Sequence, residues 1–319
     1  MASIHSGSNS FFRLDARKLE GYLLIAAAAF CYGGSAAVGK AVFNGSRWVR
    51  GAGIDPLILS QTRSTFAVLV LLPIALLVGG RSALKADRRT VLKCAAMGVL
   101  GICGANYFYY YAISKSTVAT AITVQYTAPV WVYAFMLAVG KDRASWIRTV
   151  AVLLAFVGCG LVALTGPQAQ IRVSVVGIVA ALGAAFTYSF YNVIGAHLLR
   201  IASRWVVLFF ALLFASIFWL IVNPPWRVIA RHYSRSEWLF LFAFAMISML
   251  LPLALYLGGL RLLDPTSAIV TSCLEPVFAS VLAAMFVGEK LSPLQVMGIA
   301  LVLSQSVMIQ LPSRQSSAT

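Results

Sequence analysis

The chain carries a faint copy of itself, and both copies lie in apolar sequence. Ala29-Phe30-Cys31-Tyr32 with Gly39 recurs as Ala185-Phe186-Thr187-Tyr188 with Gly195, an offset of 156 residues. Ala121-Ile122 and Pro129-Val130 recur as Ala268-Ile269 and Pro276-Val277, an offset of 147. A hydrocarbon core about 30 Å thick needs about 20 mostly apolar residues per helix. Ten segments meet that need: 21–43, 56–78, 90–111, 117–139, 144–165, 174–198, 205–223, 236–260, 265–287 and 292–311. Five fall in each copy, and an odd number of crossings makes the next unit start from the other side, so the second copy lies inverted. The expected fold is an all-α integral membrane protein of ten transmembrane helices, built as two inverted five-helix repeats over 19–165 and 173–311. Ser-rich flexible termini are expected at 1–18 and 312–319.

Composition agrees: 61% hydrophobic and 11% charged residues exclude an ordinary soluble domain. The net charge of +16 would suit nucleic acid if the basic residues clustered on a polar domain. They fall instead in short connectors, where they meet lipid headgroups and set orientation, so no nucleic-acid partner is expected. With the N-terminus inside, fifteen basic residues lie on the cytoplasmic side, among them Lys141, Arg143, Arg148 and Arg261, and eight lie opposite. Both termini are therefore expected in the cytoplasm. The first apolar stretch is too long for a signal peptide and is expected to stay as a helix. Five cysteines lack zinc or CxxC spacing, and His5, His197 and His232 are scattered, so neither disulfide nor metal site is expected. No GxxxxGK[ST] sequence is present to drive the chain with ATP, and no cofactor is expected.

Charged groups inside hydrocarbon cost at least about 2.5–3.5 kcal/mol on insertion scales and mark functional candidates. Glu275 lies ten residues into the ninth span, about 15 Å from its start. It is either a proton-titrating or cation-binding carboxylate, or a structural Glu tying helices together. Arg63, in the second span, is read as a substrate-carboxylate partner, a partner of Glu275, or a snorkelling side chain. Lys40 lies near the end of the first span, where snorkelling competes with a lumenal role. In the third span Asn106 is a polar candidate. Tyr107 and Tyr111, four apart, form either a stacking wall or an interfacial aromatic belt. Gln125 with Pro129, Thr271 with Glu275, and Tyr188 with Asn192 share helix faces. Pro129 and Pro276 are expected to kink their helices and leave carbonyls free for a cavity.

These residues resemble EamA-type transporters of the drug/metabolite transporter superfamily. The second unit carries the pattern more fully: Asp264-Pro265-Thr266-Ser267-Ala268, Glu275-Pro276-Val277, Gly288-Glu289-Lys290-Leu291, then Gln295 and Gly298. The first unit keeps Ala119, Pro129-Val130 and Gly158 but has Ala128 where the second has Glu275, and Gly140-Lys141-Asp142-Arg143 at the turn. The resemblance implies a secondary carrier in the bacterial inner membrane, exporting small metabolites such as amino acids by alternating access. Proton coupling through Glu275 is one option. Expected partners are the small-molecule substrate, membrane lipids and protons; no oligomeric state follows. A nucleotide-sugar or other metabolite antiporter is the alternative, and a membrane-embedded lipid-modifying enzyme a further one, though converging catalytic groups are missing.

Overall fold

The computed structural model describes residues 16–43, 56–79, 84–115, 118–164, 175–287 and 291–309. Among them there are helices and turns but no strand. The first unit contains α1 (Ala16–Phe43), α2 (Pro56–Gly79), α3 (Arg88–Ala96), α4 (Gly104–Lys115), α5 (Val118–Gln125), α6 (Ala128–Ala138) and α7 (Trp146–Leu164). The second contains α8 (Val175–Ile201), α9 (Arg204–Val222), α10 (Pro225–Ile229), α11 (Arg235–Ala245), α12 (Leu251–Leu262), α13 (Pro265–Ser272), α14 (Leu274–Val287) and α15 (Pro293–Met308). π-helical turns, Met97–Cys103 and Met246–Leu250, join α3 to α4 and α11 to α12.

Six stretches are long and apolar enough to cross a bilayer: Leu57–Leu77, Arg88–Tyr109, Val175–Ile201, Arg204–Val222, Arg235–Leu262 and Pro265–Leu282. Trp146–Val162 and Pro293–Met308 are shorter apolar helices. Large apolar side chains point outward, with Leu77 at 86% and Ile221 at 74% exposure, which suits hydrocarbon and not water. The chain is an integral membrane protein.

Two expectations need correction. Ala16–Lys18, placed in the flexible N-terminus, belong to α1, which runs a turn beyond its apolar stretch. Pro129 and Pro276 do not kink continuous helices. The helix stops before each, at Tyr126-Thr127 and at Cys273, and each proline sits in the first turn of a new helix, where its missing N–H is no loss. The connector after α9 also forms the short helix α10. Residues 1–15, 310–319 and Gly288-Glu289-Lys290 lie outside the described residues, as does the side chain of Lys40.

Local chemistry explains several helix starts. The Asp87 carboxylate accepts from the Thr90 amide at 3.1 Å, capping α3. Hydrogen bonds from the Thr90 side chain and backbone hold the Asp87 carboxyl below the usual carboxylate range. Ser234 with Glu237, and Ser292 with Gln295, form capping boxes for α11 and α15. Gln295, part of the family resemblance, therefore has a structural role here. Asp264 caps α13, with Pro265 at its first position. Gly140 (φ +65°) ends α6 in a Schellman turn: the Lys141 amide donates to the Met136 carbonyl and the Gly140 amide to that of Leu137, both at 3.0 Å.

The helices pack across the two units. α1 meets α12 and α14, α4 and α6 meet α8, α2 meets α9, α6 meets α13, and α7 meets α15. Where α2 passes the end of α9, the buried Asn223 amide donates to Gln61 Oε1 at 2.7 Å. Interhelical hydrogen bonds in membranes average about 0.6 kcal/mol and reach about 1.7. Gln61→Leu is expected to lower the thermal unfolding midpoint in detergent, and pairing it with Asn223→Leu to recover part of the loss. A fully additive double variant would show that the two side chains do not interact.

Candidate functional site

The two helix breaks are the places where backbone polarity is released inside the bundle. Proline lacks an N–H, so Pro129 and Pro276 cannot return the usual hydrogen bond to the carbonyls of Gln125 and Ser272. Around these breaks the structure gathers polar side chains from α1, α2, α8, α12, α13 and α14.

Glu275 lies in the first turn of α14, directly after the break at Cys273. Tyr126, at the break between α5 and α6, and Arg63 lie within electrostatic reach of its carboxyl. Arg63, from α2, also acts on Tyr32 of α1. Arg63 Nη2 donates to the Ser248 carbonyl at 2.5 Å, and its guanidinium carbon lies 5.7 Å from the centre of the Phe244 ring. Among the described residues no direct ion pair joins Arg63 to Glu275.

Tyrosines form the remaining wall. Tyr188 and Tyr191 stack with ring centres 6.0 Å apart, and Tyr191 meets Tyr256 at 5.7 Å. The Tyr188 hydroxyl donates to Ser272 Oγ at 3.2 Å, linking α8 to the second break. The Tyr256 hydroxyl donates to Asn192 Oδ1, and Asn192 Nδ2 donates to the Tyr188 carbonyl at 3.0 Å. Besides Gln305 Oε1 of α15, three buried polar atoms have no hydrogen-bond partner among the described residues, all from these groups: Arg63 Nε, Ser248 Oγ and Tyr191 Oη. An unpaired buried polar group costs about 1–3 kcal/mol, so their gathering in one region suits a site that receives a polar ligand or water.

The sequence candidates divide. Tyr188 and Asn192 hydrogen-bond within this cluster, and Glu275 and Arg63 lie within electrostatic reach of its tyrosines. Gln125 ends α5 at the first break, and Thr271 lies one turn before Glu275, its hydroxyl donating to the Ser267 carbonyl at 2.7 Å. Asn106 makes a local bond to the Ile102 carbonyl at 2.7 Å. Tyr107 and Tyr111 stack on each other at 6.0 Å and are 47% and 38% exposed, with the Lys115 ammonium 5.6 Å from the Tyr111 ring. That exposed stack fits an interfacial belt better than a lumenal wall. Tyr32, Tyr126, Tyr191, Tyr256 and Ser248 were not among the site candidates. Tyr32 and Tyr188 are the repeated tyrosines of the Ala-Phe-x-Tyr pattern, a signal that was present but served only to detect the repeat.

Among the described residues no group of three His, Cys, Asp or Glu side chains is placed to hold a metal ion.

A sequence model described as the EamA-like transporter family matches residues 19–164 and again residues 175–310. The "Uncharacterized inner membrane transporter YicL" of Salmonella typhimurium is 25% identical over 300 residues, 93% of this chain and 97% of that protein. An "Uncharacterized transporter" of Archaeoglobus fulgidus is 28% identical over 276 residues, 86% of this chain and 94% of that one. A crystal structure that is 20% identical superposes with a TM-score of 0.73, covering 95% of this chain and 99% of that chain. At that identity it speaks to the fold alone.

Proposed function

We infer function from one premise: the chain belongs to the EamA-like transporter family. On that basis we propose a secondary carrier of small metabolites, amino acids or related compounds, working outward across a bacterial inner membrane by alternating access. Its ten spans form two inverted five-helix units, over 19–165 and 173–311, with both termini cytoplasmic. Helix packing supports the two-fold relation. Exchanging the units turns the α1–α12 contact into the α8–α4 contact, and the α2–α9 and α7–α15 contacts map onto themselves. The helix breaks and the π-helical turns recur in equivalent places, as in carriers whose discontinuous helices form the binding site.

One observation carries the proposal: Glu275 lies directly after one helix break, within electrostatic reach of Tyr126 at the other break and of Arg63 from α2. Arg63, always protonated, suits a substrate carboxylate; Glu275 suits a substrate amine or a coupling proton. Arg63→Lys should discriminate positioning from bare charge. An ammonium cannot reproduce the planar fork that reaches Ser248 while lying over Phe244, so flux should fall about tenfold with little change in unfolding midpoint. Unchanged flux would remove Arg63 from the site. The reading as a whole is tested with purified protein in liposomes, by screening labelled amino acids and related metabolites with and without an imposed pH gradient. Saturable, protein-dependent flux of one solute class supports it. Turnover of a lipid with no solute flux would replace it with an enzyme.

A further inference from the structure

We propose that Arg148, Asp142 and Asp264 form an ionic latch that holds the two units together at one end of the bundle and must open for substrate to pass that end. The inference rests on the carrier reading above and adds to it a named gate and the side that it closes.

The latch is built from both units. Arg148, in the first turn of α7, donates through Nη1 to Asp142 Oδ1 at 2.5 Å and through Nη2 to Asp264 Oδ2 at 3.4 Å. The Thr266 hydroxyl, from the second unit, donates to Asp142 Oδ2 at 3.1 Å. Ser267 holds Asp264 in place, its hydroxyl donating at 2.8 Å and its amide at 3.0 Å. Each carboxylate therefore takes hydrogen bonds from both units. The side chains of Asp142, Arg148 and Asp264 are 8%, 26% and 36% exposed, so the Asp142 pair is shielded from solvent and the Asp264 pair only in part. The chain has nine acidic residues, and among the described residues these are the only ion pairs. The Schellman turn at Gly140 delivers Asp142 to this spot, and the Tyr22 hydroxyl, donating to the Ile309 carbonyl at 3.2 Å, ties α1 to the end of α15. Gly21, beside Tyr22, lies against Leu262 and Leu263, the residues before Asp264, so this tie lies at the same end.

The latch is one-sided. At the repeat offset of 147, the counterpart of Asp264 is Thr117 and that of Arg148 is Gln295. By the repeat, the positions equivalent to the cation and to Asp264 are neutral, and Thr117 and Glu289, the equivalent of Asp142, lie outside the described residues. A scaffold held by a charge network at the latch end is biased toward the state shut at that end. That end carries Lys141, Arg143, Arg148 and Arg261, the side assigned to the cytoplasm by the distribution of basic residues.

The latch is also connected to the central site. Asp264 caps α13, whose eight residues, all buried, run directly to the break at Cys273. Eight residues of helix are about 12 Å long and move as one rigid piece. Ser272, at the far end of that piece, accepts the Tyr188 hydroxyl. Displacement of Asp264 when the latch opens therefore moves Ser272 and the helix break that carries Glu275. Conversely, a ligand that reorders the break pulls on the latch.

The test uses the full chain with its native cysteines replaced, in lipid nanodiscs, with nitroxide labels at the exposed Lys141→Cys and Arg261→Cys positions. The label distance distribution is measured by double electron–electron resonance. Asp264→Asn removes the charge while keeping a good helix cap, so it separates latch from fold. The expected result is a narrow short-distance peak in the parent. Asp264→Asn should add a longer-distance population, raising the open-to-closed ratio about tenfold. Arg148→Gln should do the same, and the double variant should add nothing further. If Arg148→Gln misfolds, Asp264→Asn alone decides. An Asp264→Asn distribution that superimposes on the parent's overturns the latch. The readout is a distance and not a flux, so the latch and the carrier reading fail separately.

Discussion

Glu275→Gln is expected to leave the protein folded while abolishing the response of transport to a pH gradient. The substitution keeps the shape and a carbonyl acceptor, and removes only the group that can exchange a proton within electrostatic reach of Tyr126 and Arg63. If Glu275 carries the coupling proton, an inwardly directed proton gradient should accelerate efflux in the parent, because each cycle would protonate Glu275 on one side and release the proton on the other. In the variant, flux should be the same with and without the gradient. If Glu275 also holds a substrate amine, flux at symmetric pH should fall by tenfold or more, since hydrogen bonds to charged groups contribute about 1.5–3 kcal/mol. Tracer efflux from proteoliposomes, with the gradient imposed and then collapsed by an ionophore, measures both effects. Full retention of gradient-driven flux would assign Glu275 a structural role.

Gly98→Val should have the largest effect on folding. Gly98 opens the π-helical turn before α4 and lies against α9, where an added Cβ would overlap the Ala211 carbonyl oxygen and approach its carbonyl carbon to 3.1 Å. The obstacle is backbone, so no rotamer change relieves it, and α9 as a whole must move away. One turn on, Cys103 Sγ donates to the Ala215 carbonyl at 3.6 Å, and that contact would open as well. Overpacking of this kind costs about 1–3 kcal/mol and occasionally more. With small-residue packing as the main force joining helices in lipid, the yield of monodisperse protein should collapse. Gly160→Ala is the control, because its new Cβ would meet only Thr123 Cγ2, at 3.7 Å. Size-exclusion profiles and thermal unfolding in detergent distinguish the two. A Gly98→Val protein as stable as the Gly160→Ala protein would mean that the α9 contact is looser than described.

The helices were legible because hydrocarbon imposes their length and polarity. The apolar run 265–287 is the range covered by α13 and α14, and the run 56–78 differs from α2 by one residue. The breaks were only half legible: Pro129 and Pro276 marked them, but a proline kinks or ends a helix according to what packs around it. The π-helical turns carry no local signal of that sort. In the site, i, i+4 spacing paired Tyr188 with Asn192, which share α8, but Thr271 and Glu275 fall on either side of the break at Cys273, so the face expected for them is interrupted. It could not pair Glu275 with Tyr126, Arg63 with Ser248, or Tyr188 with Ser272, because those partners meet only through tertiary packing. Asp142 was visible as a departure from the repeat at the turn after α6. Its partner Asp264 looked like family architecture, and only the fold showed that Arg148 joins the two.

The central claim is that the site at the helix breaks opens to each side of the membrane in turn. Ser272→Cys, in a chain cleared of native cysteines and reconstituted in one orientation, tests this with a membrane-impermeant thiol reagent. Ser272 is 4% exposed and accepts from Tyr188, so a reagent reaches it only through an opened pathway. The account predicts modification from either face, slower from the side carrying Arg148 and accelerated there by Asp264→Asn. Modification from one face only, in the parent and in the Asp264→Asn protein alike, would contradict it.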